Sequence, residues 1–130
     1  MKIITNLIMD VLLAAFVLAL STKPVMAQDP VKLAPQLHTV KLDNEKVRVY
    51  ELRAKAGDKI AMHYHPAMVL VALSNCKLKV TSPDGKAQEV ELKEGDTGWN
   101  EAQSHVSEFL TDAHLLVIEM KEPQKKEKKE

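Results

Sequence analysis

The segment GDKIAMHYH, residues 57–65, contains a glycine, five intervening residues, and then two histidines separated by one residue. Side chains on a β-strand alternate between its two faces. If the segment is a strand, His63 and His65 share one face with Ala61, and the residues between them take the opposite face. Two imidazoles that project together are suited to bind one transition metal ion. The segment therefore predicts a strand that carries half of a metal site.

A third histidine extends this candidate site. His105 lies in a later segment whose pattern is also that of a strand, and β-scaffolds commonly hold metals with imidazoles from separate strands. We predict that His63, His65 and His105 are the metal ligands, and we assign no ligand role to His38 or His114. Three neutral imidazoles leave two or three coordination positions for water, dioxygen or substrate, as catalytic sites require.

The chain around these histidines is predicted to be all-β. Short runs rich in Val, Leu, Ile and Thr are bounded by turn residues, and no long stretch has helical periodicity. A turn at Pro83-Asp84-Gly85 predicts a hairpin between its flanking strands. About eight strands result, in the pattern typical of an antiparallel sandwich or barrel. The predicted strands cover residues 37–41, 47–54, 59–65, 68–73, 77–82, 88–92, 105–110 and 114–120.

The two ends of the chain differ from its centre. Residues 1–27 have an early lysine, an apolar stretch and small residues before a cleavage point after Ala27, which predicts a signal peptide. The protein is then secreted or periplasmic. Residues 28–36 contain two prolines and are predicted to be an extended linker. Residues 37–120 form the predicted domain, and residues 121–130 a charged, disordered tail.

Composition restricts the partners. The sequence has 18 basic and 18 acidic side chains. Loss of residues 1–27 removes two basic and one acidic side chain, so 16 and 17 remain. This balance offers no surplus of positive charge for nucleic acid or for stable association with an anionic membrane after cleavage. Cys76 is the only cysteine, so an internal disulfide is excluded.

The same residues resemble the cupin superfamily. Gly57, His63 and His65 match the opening of its first motif, and Gly95 and His105 match its second motif more loosely. The resemblance implies a small double-stranded β-helix, the jelly-roll barrel of RmlC-like cupins, with a divalent transition metal inside. It also implies a small-molecule substrate or ligand. Homodimers are common among small cupins, and the strands rich in Val and Leu could supply an interface.

One position departs from the family pattern. The glutamate that normally follows the two histidines by four or five residues is replaced by Val69 or Leu70. Cupins with three histidines and no glutamate include thiol and diketone dioxygenases that use ferrous iron. The resemblance therefore implies a dioxygenase-like enzyme, with iron as the first choice of metal and zinc, manganese, nickel or copper as alternatives. Without a carboxylate ligand, an anionic substrate would balance the metal charge.

The segment before His105 supplies a candidate catalytic residue. Glu101 could act as general base near the metal, and Glu101 or Gln103 could replace the missing ligand. Trp99 could line the mouth of the pocket. Two other functions stay open on the sequence: a cupin that binds a small ligand without turnover, and a structural cupin that has lost its metal.

Overall fold

The computed structural model describes residues 28–123. These residues form one short helix and nine strands. The helix is α1 (Pro30–Leu33), and the strands are β1 (His38–Asp43), β2 (Val47–Ala54), β3 (Lys59–His65), β4 (Met68–Ala72), β5 (Cys76–Thr81), β6 (Ala87–Leu92), β7 (Thr97–Asn100), β8 (Gln103–Phe109) and β9 (Ala113–Met120).

The strands form two antiparallel sheets. One sheet has five strands in the order β1-β2-β9-β4-β7, and the other has four in the order β3-β8-β5-β6. Many neighbours within each sheet are far apart in sequence, as β2 and β9 are, so the chain crosses repeatedly between the sheets. The predicted all-β, double-stranded β-helix architecture is confirmed.

Two turns with the same hydrogen-bonding pattern precede β3 and β7. In the first turn, the Asp58 carboxylate accepts a hydrogen bond from the amide of Lys55 at 2.8 Å, and in the second, Asp96 accepts one from Lys93 at 2.8 Å. Both turns contain a glycine with positive φ, near +90°. The predicted hairpin is also present, because β5 pairs with β6 in antiparallel register.

The inward faces of the two sheets enclose an apolar core. Strand β9 shows the alternation most clearly, because Ala113, Leu115 and Val117 are buried while the residues between them are partly exposed. Phe109 and Ile60 belong to the same core cluster as Ala113 and Leu115, and Val117 belongs to a second cluster. Period-two alternation of this kind is what a sheet with one buried face requires.

Strand β7 is absent from the sequence-based prediction, which treated residues 95–104 as a loop. The strand is only four residues long and contains Gly98, which weakens its intrinsic preference for a strand. It exists because it pairs with β4, where Trp99 lies opposite Val69. Pairing between residues so distant in sequence leaves no local pattern.

The predicted extended linker is corrected by the structure. Residues 28–36 include the helical turn α1, whose N-cap is Asp29 and whose first residue is Pro30. An Asp-Pro pair is a helix start, since the carboxylate accepts from the Val31 amide at 3.0 Å and proline needs no partner there. The segment also joins the fold, because the Tyr64 amide donates to the Gln28 carbonyl oxygen at 2.8 Å.

The ends of the chain fall largely outside this description. The predicted signal peptide, residues 1–27, and residues 124–130 of the predicted tail lie outside the described residues. Across residues 28–123, no helix has the length and apolar character needed to cross a membrane.

The predicted homodimer has a candidate surface on the edge strand β1, where the side chains of Val40 and Leu42 are 44% and 48% exposed. Self-association stays a prediction.

Candidate metal centre

The three predicted ligands lie together inside the barrel. His63 and His105 face each other directly across the β3–β8 pair. His65 follows two residues later on β3, and all three histidines are at least 93% buried. One ring nitrogen from each histidine lies within 4.8 Å of the other two. The sequence correctly identified the residues that meet here, and His38 and His114 are not members of this cluster.

A β-bulge adjusts the direction of His63. Ile60 pairs with Ser107, and His63 pairs with His105, so three steps on β3 oppose two steps on β8. The alternation therefore shifts: Ile60 is buried, and Ala61 is exposed. The prediction that Ala61 shares the face of His63 was wrong, because it assumed unbroken alternation.

The bulge also supplies a partner for the ring of His63. Nδ1 of His63 lies 2.7 Å from the carbonyl oxygen of Ala61, inside the irregular stretch. Because a carbonyl oxygen only accepts, Nδ1 carries the proton and Nε2 keeps a free lone pair. Bulges often redirect side chains next to functional sites in this way.

A buried carboxylate orients the second predicted ligand, His65. Nδ1 of His65 lies 3.2 Å from Oε1 of Glu119, a residue of β9 that is only 3% exposed. The hydroxyl of Tyr50 donates to the same oxygen at 3.0 Å and lies 3.2 Å from Nδ1 of His65. A proton on Nδ1 leaves Nε2 of His65 free. Histidine ligands of metals are typically oriented by such a partner.

Glu119 is itself held by a charged pair. Its Oε2 accepts from Nε of Arg48 at 2.9 Å, and the other edge of the guanidinium binds Asp29 at 2.8 and 2.9 Å. Burial raises the pKa of Glu119, but hydrogen bonds from His65 and Arg48 outweigh this effect and hold the pKa below its usual value. Glu119 is therefore ionised at neutral pH, and it anchors the ring of His65.

Two of the predicted ligand rings, those of His63 and His105, are kept neutral. Burial lowers the pKa of His63 to about 4, against an opposing effect of its hydrogen bond to Ala61. Burial, and then the neighbouring histidines, lower the pKa of His105 to about 3. Neutral imidazoles carry the lone pairs that a metal needs, so at neutral pH no proton has to be displaced from these two rings.

The donor set fits a transition metal ion. A tetrahedral site with bonds of about 2.1 Å places its nitrogens about 3.4 Å apart. The ring nitrogens therefore need to approach one another by no more than about 1.4 Å from their limit of 4.8 Å. Nδ1 of His105 is buried without a hydrogen-bond partner among the described residues, which is unusual for a ring nitrogen with no further role. Three imidazoles suit iron, zinc, copper and nickel.

A cavity of about 310 Å³ adjoins the histidines. His65 and His105 form part of its wall, together with Tyr50 and His38. Most of the remaining lining is aliphatic, and Gln88, Asn100 and Gln103 add amide groups. The volume is at the small end of the range for small-molecule sites. A small organic molecule can therefore approach an ion held by the three rings.

The predicted catalytic residue lies elsewhere. Glu101 is exposed, and its carboxylate accepts a hydrogen bond from the indole of Trp99 at 2.8 Å. Neither residue lines the cavity, whereas Gln103 and Asn100 do. Trp99 is 56% exposed. The catalytic role of Glu101 stays a prediction, and the placement of Trp99 at the pocket mouth is not supported.

Glu119 and Tyr50 are the residues that sequence reasoning missed. The sequence does indicate that Glu119 faces inward, because it lies two residues after Val117 and continues the alternating series of Ala113, Leu115 and Val117. An acidic residue at an inward position requires a buried partner. Its partner could not be predicted, since Tyr50 and Arg48 come from β2, which pairs with β9 across nearly seventy residues.

The fold is shared with solved cupins. A cupin domain from Bordetella pertussis Tohama I matches with a TM-score of 0.59 and 28% identity, over 65% of this chain and 92% of that one. A cupin superfamily protein from Desulfitobacterium hafniense matches with a TM-score of 0.54 and 14% identity, over 66% and 77%. An RmlC-like cupin from Methanocaldococcus jannaschii, described as having a double-stranded β-helix fold, matches with a TM-score of 0.51 and 15% identity, over 67% of this chain and 83% of that one.

No protein-family model matches the sequence, and no curated protein does. The assignment therefore depends on the fold, on the structural match to the Bordetella domain, and on the positions of the three histidines. The described chain has the double-stranded β-helix fold of small, RmlC-like cupin domains.

Proposed function

We propose that this protein binds one divalent transition metal ion through His63, His65 and His105 and acts on a small organic molecule as a dioxygenase-like enzyme. The observation that carries the proposal is the convergence of three buried imidazoles, two of which line a cavity. Iron is the first choice of metal, on the resemblance to cupins with three histidines and no glutamate. When bound, iron supplies the capacity to take up dioxygen together with a substrate anion.

Other residues of the chain orient the histidines and shape the substrate cavity. The bulge at Ala61 and the carboxylate of Glu119 hold the rings of His63 and His65 with Nε2 free. The aliphatic walls of the cavity exclude water and favour the apolar part of a substrate. No carboxylate lines the cavity, so an anionic substrate group would be the ligand that balances the metal charge.

Export is part of the proposal and depends only on the sequence of residues 1–27. N-terminal sequencing of the protein from its native compartment tests it. A mature terminus near residue 28, in the periplasm or the medium, is the expected result. An intact leader in the cytoplasm would contradict export without affecting the metal site.

Metal analysis and oxygen uptake test the activity. We expect one metal per chain in purified protein, and oxygen consumption by the iron form with thiols or diketones as candidate substrates. His63→Ala is expected to lose the metal and remain folded, and His114→Ala is the matched control. His114 pairs with Glu51 outside the cluster, at 3.3 Å.

Two outcomes change the proposal. Metal bound without any turnover would favour the second candidate function, a cupin that binds a small ligand. The lining of the cavity is compatible with that function, since it contains no carboxylate that could act there as a general acid or base. Full metal content in His63→Ala would refute the metal site.

A further inference from the structure

His38 has a ring nitrogen with no assigned partner. It is the first residue of β1, is 8% exposed, and lines the same cavity as His65 and His105. Its Nδ1 lies 2.7 Å from the carbonyl oxygen of Ala34. Because the carbonyl accepts, Nδ1 carries the proton, and Nε2 is left as a bare acceptor. Nε2 is buried and has no hydrogen-bond partner among the described residues.

The neighbouring Tyr50 does not satisfy this atom. Tyr50 packs edge-on against His38, with 5.3 Å between ring centroids, and its hydroxyl donates to Glu119 instead. Burial lowers the pKa of His38, so the ring stays neutral. A buried acceptor without a donor is costly, and the few found in native proteins usually await a water, an ion or a ligand.

The cavity limits what that ligand can be. Its lining contains no Lys, Arg, Asp or Glu, and ten of its seventeen residues are aliphatic or Met. A ligand with a charged body would lose its hydration without compensation there. The volume of about 310 Å³ admits only a small molecule. The only charged group that such a molecule could carry is one that binds the metal ion, whose positive charge would balance it.

We propose that His38 is a ligand-binding residue whose Nε2 accepts a hydrogen bond from the molecule held in the cavity. The ligand class follows: a small, largely apolar molecule that coordinates the metal and carries a hydroxyl or N–H donor directed at His38. Tyr50 joins the two histidines along the cavity wall, since its ring packs against His38 and its hydroxyl lies 3.2 Å from Nδ1 of His65. This inference rests on the proposed metal site.

Two matched probes test the donor requirement. Acetohydroxamate chelates zinc through both oxygens and leaves its N–H free, whereas N-methylacetohydroxamate chelates in the same way without a donor. We expect the zinc-loaded protein to bind acetohydroxamate about tenfold more tightly, as one net hydrogen bond provides. In His38→Asn the ratio falls to about one. Asparagine can still donate to Ala34 but lacks an atom at the position of Nε2.

The nitrogen resonances of His38 supply a readout independent of activity. In ¹⁵N-labelled zinc protein we expect a protonated Nδ1 and an unprotonated Nε2, with Nε2 shifting upfield on addition of acetohydroxamate. The N-methyl compound leaves the resonance unchanged. This measurement separates a hydrogen bond from the steric effect of the methyl group. His114→Asn is the control and is expected to keep the affinity ratio of the wild type.

The outcomes distinguish the two proposals. A protonated Nε2 in His38, or equal affinity for the two hydroxamates in a protein that binds zinc normally, would overturn the role of His38 and leave the metal site intact. Failure of the wild-type protein to bind zinc at all would overturn the proposed function, and this inference with it.

Discussion

Replacement of Glu119 by glutamine is the most informative single change in the structure. The substitution preserves the size of the side chain but removes its charge. Glu119 accepts hydrogen bonds on both oxygens, from Arg48 on one side and from Tyr50 and His65 on the other. The amide of glutamine can accept on one side only. Its NH₂ group therefore faces donors, either at the guanidinium or at the histidine.

The expected loss of stability depends on the ion pair that Arg48 keeps after the substitution. Removing one partner of a buried ion pair typically costs about 3 to 5 kcal/mol. Arg48 keeps its pair with Asp29, and its side chain is 18% exposed, so the lower end applies. We expect Glu119→Gln to lower the free energy of unfolding of the metal-free protein by about 3 kcal/mol. Zinc affinity should fall about tenfold, because His65 loses its orienting partner.

Urea denaturation measures the first quantity, and competition with a chromogenic chelator measures the second. Glu51→Gln is the matched control, because Glu51 lies on β2 and pairs with His114 and Lys41 at the surface. We expect a much smaller loss of stability and no change in zinc affinity. Wild-type zinc affinity in Glu119→Gln would refute the role of the carboxylate in orienting His65.

Three further predictions concern the neutral histidines and the supporting residues. Metal-free protein should lose about 2 kcal/mol of stability for each of His63 and His105 between pH 7 and pH 5. Their folded pKa values are about 4 and 3, so only the unfolded chain takes up these protons near its pKa of about 6.5. Tyr50→Phe should cost about 1 kcal/mol, since the buried ring is kept and one hydrogen bond is lost. Gly57→Ala should cost roughly 1 to 2 kcal/mol, because φ is +92° there although the added methyl group meets no atom within 4 Å.

Urea unfolding at fixed temperature measures all three changes. For the first, stability that is unchanged between pH 7 and pH 5 would contradict buried, neutral rings. For Tyr50→Phe, a loss above about 3 kcal/mol would indicate that the hydroxyl does more than donate one hydrogen bond. For Gly57→Ala, Gly98→Ala is the control, since Gly98 has no positive φ. Equal losses in the two variants would contradict the conformational explanation.

That His63 and His65 point to one place was predictable, and the reason is local. His63 and His65 are two residues apart, and a strand requires residues so spaced to share a face. The bulge between Ile60 and His63 was not predictable, because it is a mismatch between β3 and β8 rather than a property of either sequence. The bulge places Ala61 on the exposed face of the strand, while His63 and His65 stay together on the buried face.

The orienting residues depend on strand order. Glu119 and Tyr50 meet because β2 and β9 are neighbours in one sheet, and His65 reaches them from the other sheet. No pattern within β2 or β9 specifies that meeting. The inward position of Glu119 was visible in the alternation of β9, but only the assembled barrel identifies what it binds. The same holds for His38, whose ring is oriented by Ala34 at the end of a segment predicted to be a linker.

X-ray absorption of the zinc-loaded protein at the metal edge tests the central claim most directly. The account predicts one zinc per chain with three imidazole nitrogens at about 2.0 to 2.1 Å, and completion of the shell by solvent oxygen. His63→Ala should lose this spectrum, while His114→Ala keeps it. A sulfur ligand, or a shell with fewer than three imidazoles in the wild-type protein, would contradict the site formed by His63, His65 and His105.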